Sequence, residues 1–125
     1  MKLSPNFSRS EFRCKGCTPD KPCHRGGLDT VDAALPGVLE AVRERFGGLP
    51  MTIHSGHRCE EHNRSVGGAA GSQHLLGRAC DFTVKGVDPR VVADFVKGKF
   101  DWMSVGDYAG FTHIDSREKP AFWTK

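Results

Sequence analysis

Apolar residues recur at helical spacing through Val31, Leu35, Val38, Leu39, Val42 and Phe46, and the run closes on Gly47 and Gly48. This predicts a helix from Leu28 onward with a glycine stop, kinked or divided by Pro36. The segment "PMTIHSG" then reads as a short strand, and "CEEHNRSV" as a short helix ahead of the flexible loop "GGAAGS". "RACDFTV" alternates small or polar with apolar residues and ends in β-formers, which predicts a strand. In "DPRVVADFVKGKF", Asp88 is an N-cap, Pro89 takes the first helical position, and Val91, Val92, Phe95 and Val96 form the apolar face of a second core helix. "DWMSVGDY" and "GFTHIDS" follow as two strands joined by a tight turn near Ala109 and Gly110. The order argues for an α+β fold with a small, mainly antiparallel sheet flanked by helices. Residues 1–27 carry few apolar positions and many turn formers, so they read as an irregular arm fastened by its cysteines.

A chain of 125 residues is expected to form one domain with one core. Its 38% hydrophobic and 26% charged composition is that of a globular protein, and fifteen glycines point to many loops. No apolar run approaches the roughly 18 residues of a membrane span, and the start "MKLSPNFSRSEF" lacks the apolar core of a signal peptide. The expectation is synthesis in the cytoplasm without a cleaved signal. The net charge of +3 is mild, and its basic residues are scattered without interleaved aromatics, which argues against nucleic-acid binding. It is compatible with anionic polymers such as cell-wall material.

Of five cysteines, Cys80 sits in an apolar segment and reads as a buried free thiol. Cys14, Cys17, Cys23 and Cys59 lie in polar, turn-rich sequence. "CKGCTPDKPCH" has Cys-x-x-Cys spacing, and Cys23 or His24 with Cys59 would complete a closed four-ligand structural zinc site. Disulfides are the rival reading; without an export signal, metal or free thiols are favoured over bridges.

Strand periodicity brings a second donor set together. Phe111, His113 and Asp115 share one face of "GFTHIDS", and Ala79, Asp81 and Thr83 share one face of "RACDFTV". His74 lies in the loop feeding that strand, so His74, Asp81 and His113 can converge. Two neutral imidazoles and one carboxylate leave a fourth tetrahedral position open, as in a catalytic zinc site.

The ordered set Ser-x-His in "SGHRCEEHNRSVGGAAGSQHLLGRACDF", Gly-Arg-Ala-x-Asp within it, and Phe-x-His-x-Asp in "GFTHIDSR" resembles the zinc D-alanyl-D-alanine peptidase superfamily, with its hedgehog/DD-peptidase fold. The likeness runs from "NFSRSEFRCKGC" to "AFW" and is greatest to short peptidase-like proteins of phages and prophages. It implies one catalytic zinc on His74, Asp81 and His113, with Arg58 in the cleft to bind a substrate carboxylate or an oxyanion, and Ser72 and Gln73 as substrate hydrogen-bonders or loop-shaping residues. Many relatives carry a glutamate or histidine two or three residues before the last ligand; here those positions are Phe111 and Gly110. The general base is therefore sought in Asp115, on the His113 face about 7 Å along the strand, or in Asp107. Asp115 has a second reading, as the group that orients a ligand histidine.

His54, His57 and His62 read as ordinary polar residues. Trp102, Phe122 and Trp123 read as core or sheet-edge cover, with Trp123 at the cleft rim as the alternative. The implied activity is hydrolysis of a peptidoglycan stem-peptide bond, of the D-Ala-D-Ala carboxypeptidase or L-Ala-D-Glu endopeptidase type. The implied setting is a monomer acting at the bacterial cell wall after phage lysis or from a virion. The rival is a non-catalytic zinc-containing module that binds cell wall or protein.

Overall fold

In the computed structural model, residues 2–16, 31–69 and 71–125 are described. Cys17, Cys23 and His24 of the predicted cysteine site lie outside them. Strands β1 (Lys2–Ser4) and β2 (Phe7–Ser8) form a hairpin followed by a 3₁₀ turn at Arg9–Phe12. Helix α1 spans Ala34–Arg45, strand β3 Met51–Ser55 and the short helix α2 Glu60–Ser65. A second 3₁₀ turn at Gln73–Leu76 leads into β4 (Ala79–Val84) and α3 (Pro89–Lys99), and the chain ends in β5 (Ser104–Asp107), β6 (Thr112–Asp115) and β7 (Phe122–Thr124).

Strands β3 to β7 make one sheet in the order β3-β4-β6-β5-β7. The first three pairings are antiparallel and β5 pairs with β7 in parallel. The α+β class holds, but the sheet is mixed. Strand β7 has no counterpart in the predicted elements: with three residues, of which Phe122 and Thr124 are exposed, it has no alternation long enough to read.

Alternation along β4 and β6 divides the sheet's two faces. Cys80, Phe82 and Val84 of β4, Val105 of β5 and Ile114 of β6 point to one side, where they meet Leu35, Leu39 and Val42 of α1 and Val92 and Val96 of α3 in the main core. Asp81 and His113, one residue out of phase, point to the other side. The sequence period that buries the core thus exposes the polar donors to a cleft.

Two local expectations change. Helix α1 begins at Ala34, so Pro36 falls in its first turn, where the missing N–H has no intrahelical partner to lose, and the helix is not divided. The arm is ordered over residues 2–12: Phe7 and Phe12 are buried in the main core, Ser8 N–H donates to Glu11 Oε2 at 2.6 Å, and Glu40 of α1 accepts from Asn6 N–H and Nδ2, both at 2.8 Å. Two phenylalanines five residues apart anchor the segment without a periodic pattern. Helix α3 starts as expected, the Asp88 side chain accepting from Arg90 N–H at 2.9 Å. Among the described residues, no helix is long and apolar enough to cross a membrane.

Candidate metal centre

His74 reaches the cleft because a 3₁₀ turn folds back on the strand that follows it. The Ser72 hydroxyl accepts from His74 N–H at 3.2 Å and starts the turn. Gly77, at φ +69°, ends it in the left-handed region that glycine enters without strain. Two residues later β4 begins, with Asp81 in direct register with His113 of β6.

All three side chains are buried, and one ligand atom from each lies within 4.8 Å of the others. His113 Nδ1 is 2.7 Å from Asp81 Oδ1, and His74 Nε2 is 3.2 Å from the same oxygen. The remaining ring nitrogens decide the chemistry. His74 Nδ1 lies 2.7 Å from the Gly56 carbonyl, which only accepts, so this nitrogen carries the hydrogen. His113 Nε2 lies 2.8 Å from Asp115 Oδ2; that carboxylate is held by the Arg117 guanidinium at 2.6 and 2.8 Å, so Nε2 is the donor. A neutral His74 and a neutral His113 therefore aim lone pairs, Nε2 and Nδ1, at a carboxylate oxygen. Such a cluster is stable only with protons or a cation between its members, and two imidazoles with a carboxylate fit zinc. Each ring is also fixed from behind, by a carbonyl and a carboxylate, as histidine metal ligands usually are.

In the metal-free protein the same geometry moves protons. Burial opposes the charge on Asp81, but His113 and His74 outweigh it and hold the carboxyl well below the usual range. Burial likewise works against a charged His113, yet Asp115 and Asp81 raise its pKa above the ordinary value. The extra proton stands where a cation would.

A family model described as Peptidase M15 matches residues 5–115. The chain belongs to the Peptidase M15 family. M15 members are hydrolases acting on peptide bonds, and the match places the chain in the zinc D-Ala-D-Ala peptidase superfamily that the motifs resemble. The zinc D-Ala-D-Ala carboxypeptidase of Streptomyces albus G is 42% identical to it over 43 residues, 34% of this chain and 17% of that relative's length.

The M15 cleft in front of the donors holds about 380 Å³ and is lined by Arg58, Gln73, Tyr108, Arg117, Trp123 and Lys125, among others. Arg58 is one of the residues on the wall of this cleft. Its Nε donates to Ser55 Oγ at 3.1 Å and its Nη1 to Asn63 Oδ1 at 3.3 Å, leaving Nη2 3.5 Å from Asp81 Oδ2. Ser72 serves as the cap of the turn beneath His74. Gln73 lines the cleft, and its Oε1 is buried without a hydrogen-bond donor among the described residues.

The two predicted bases are elsewhere. Asp115 is fully buried behind His113, its oxygens taken by that ring and by Arg117. Burial opposes its charge, but Arg117 first and His113 second hold its carboxyl well below the usual range. Asp107 pairs with Thr112, one residue out of phase with His113, and lines a different pocket beside Asp88 and Pro89. Strand periodicity accounts for both, since Asp115 is two residues from His113 and bends onto it while Asp107 faces α3.

Sequence reasoning missed Arg117, Tyr108 and the carbonyl of Gly56. Trp123 forms cleft wall: its ring centroid is 5.2 Å from that of His113, the Arg117 guanidinium lies 5.1 Å from it, and its Nε1 donates to Tyr108 Oη at 3.0 Å. Trp102 and Phe122 are each 49% exposed, so neither is core. The one available signal was Gly106, whose missing Cβ makes room for the Trp123 indole. His54 bonds Thr83 Oγ1 at 2.8 Å, and His62 packs its ring on Gly16, both outside the cleft.

Proposed function

We propose that this chain is a zinc peptidase that hydrolyses a peptidoglycan stem-peptide bond, of the D-Ala-D-Ala carboxypeptidase or L-Ala-D-Glu endopeptidase type. The observation that carries it is the convergence of His74 Nε2, Asp81 and His113 Nδ1 at the floor of a cleft, with each imidazole's other nitrogen committed behind it. Bound zinc would polarise the scissile carbonyl and activate water. Arg58, braced by Ser55 and Asn63, presents its guanidinium to a substrate carboxylate or to the developing oxyanion. Arg117 and Lys125 add positive charge to the cleft, which suits a substrate rich in carboxylates, as stem peptides are. Gln73 lines the cleft, and its buried Oε1 would accept from a substrate amide N–H once the side chain turns outward. Asp115 is a positioning residue that fixes the His113 ring and its tautomer.

The name of the Streptomyces relative favours the carboxypeptidase type. A hedgehog/DD-peptidase-like fold, a monomeric state and action at the bacterial wall in a phage setting are parts of the same proposal. One observation favours the non-catalytic alternative: among the described residues lining the cleft, Asp81 is the one side-chain carboxylate, so these residues place no second carboxylate there to act as base.

The test is incubation of the zinc-loaded protein with purified peptidoglycan, products read by mass. Released D-alanine supports the carboxypeptidase and a split stem peptide the endopeptidase. Saturable binding of wall material with no product would replace the enzyme by the binding module.

A further inference from the structure

We propose that the pocket at Asp107, beside the metal cleft, is a binding site for a primary ammonium group, and that Asp107 selects peptides that carry one. The pocket holds about 460 Å³ and is lined by Asp88, Pro89, Arg90, Asp107, Tyr108 and Lys125, among others. Asp107 is the buried member of this lining, at 7% exposure, whereas Asp88, Arg90 and Lys125 are exposed.

Strand register puts the carboxylate there and local bonding leaves it open. Asp107 pairs with Thr112, and Thr112 Oγ1 donates to the Pro89 carbonyl at 3.1 Å, which sets the first turn of α3 against the end of β5. The donors of that turn are already used. Pro89 has no N–H, Arg90 N–H goes to Asp88 Oδ1 at 2.9 Å, and the N–H groups of Val91 and Val92 go to the Asp88 carbonyl at 2.9 and 3.3 Å. Among the described residues, no donor bonds the Asp107 side chain and no cation pairs with it. A carboxylate only accepts, and one withdrawn from water without a partner is costly. The pocket therefore presents an open anionic acceptor. No third metal-ligating side chain joins Asp88 and Asp107 among the described residues, so the set is a poor one for a divalent cation. A compact ammonium brings three donors, and Pro89, the Tyr108 ring and Ala109 offer apolar wall to its methylene stem. The charges of Arg90 and Lys125 are exposed and screened by solvent.

Tyr108 and Lys125 line both this pocket and the metal cleft. Tyr108 is held as a ridge between them, its ring stacked on Phe111 at 4.4 Å between centroids and its Oη accepting from Trp123 Nε1 at 3.0 Å. A peptide lying across the metal centre can thus send one side chain over the ridge to Asp107. The identity of that peptide rests on the peptidase reading above: a stem peptide contains a diamino acid, whose side-chain amine is an ammonium at neutral pH.

Nuclear magnetic resonance of the purified full chain reads the pocket without turnover. In a millimolar titration, Nα-acetyl-lysine amide should shift the backbone amides of Asp107, Tyr108, Thr124 and Lys125, and its Nε-acetylated form should not. Asp107→Asn is isosteric and has no bond to lose, so it should keep the fold and abolish the shifts. With soluble stem peptides, kcat/KM for the free side-chain amine should exceed that for the acetylated amine by about 10-fold, and Asp107→Asn should bring the ratio to about one. Equal shifts from both compounds, or none from either, would overturn the proposal, and so would a wild-type ratio near one. It would also fall if Asp107→Asn lost thermal stability yet kept the shifts, the result expected of a carboxylate that serves only the positive end of α3. Shifts that follow the amine, with no stem peptide cleaved, would uphold the pocket and remove the peptidase reading.

Discussion

Asp115 stands behind His113, its Oδ2 2.8 Å from Nε2 of the ring whose Nδ1 lies 2.7 Å from Asp81. The relationship turns the ring so that its free lone pair faces the cleft, and it separates metal holding from proton transfer. Asp115→Asn should lower zinc affinity by about 10- to 100-fold, the usual cost of losing a carboxylate behind a ligand histidine. Turnover at saturating zinc should largely return, with the shape of its pH profile unchanged. Were Asp115 the base, saturating zinc would restore nothing.

Trp123 depends on a glycine across the sheet. A Cβ on Gly106 would lie 2.7 Å from Trp123 Cε2, so Gly106→Ala displaces the indole from its contacts with His113 and Arg117. KM for peptide substrate should rise several-fold while metal content holds. With Trp102→Phe as background, Trp123 fluorescence should shift to the red as the ring becomes wetter.

These two cases mark what the sequence made legible. His74, Asp81 and His113 could be found because period-2 alternation and a short loop suffice to bring them together. Asp115 shares that face, but whether it bends toward substrate or back onto its neighbour is settled by Arg117, whose position no spacing rule predicts. Trp123 and β7 were hidden for a related reason: a three-residue edge strand gains its place from pairing with β5, and its own pattern is too short to carry a period. Phe7 and Phe12 likewise order the arm by tertiary packing that local propensity does not register.

The metal-free protein should have a stability maximum in mildly acidic solution. Asp81 and Asp115 have depressed folded-state values, so their stabilisation is present above the unfolded carboxyl value of about 3.9 and is lost as pH falls below it. His113 is raised, so its stabilisation is full below its unfolded value of about 6.5 and is lost as pH rises through the higher folded value. Thermal melts of chelator-treated protein should peak between about pH 4 and 6.5. Zinc binding releases these protons, so the gain in melting temperature on adding zinc should grow as pH rises toward 7.5 or so. A metal-free melt that climbs steadily through neutrality would contradict the assignment.

Gly56 has a packing reason that no motif conveys. A Cβ there would lie 2.5 Å from the Phe12 carbonyl oxygen, and backbone cannot yield as a side-chain tip can. Gly56→Ala should cost about 1–3 kcal/mol in denaturant unfolding, the range for overpacking a buried contact. It should also weaken zinc binding, because the carbonyl of the same residue holds His74.

The central claim is that His74, Asp81 and His113 hold the ion that the reaction needs. Its most direct test is metal content per chain for wild type and Asp81→Ala, with both samples then incubated on purified peptidoglycan. The account predicts that the substitution removes one zinc and all product release while the fold, read by circular dichroism, persists. A folded Asp81→Ala protein with its full zinc content and undiminished release of D-alanine or cleaved stem peptide would contradict it.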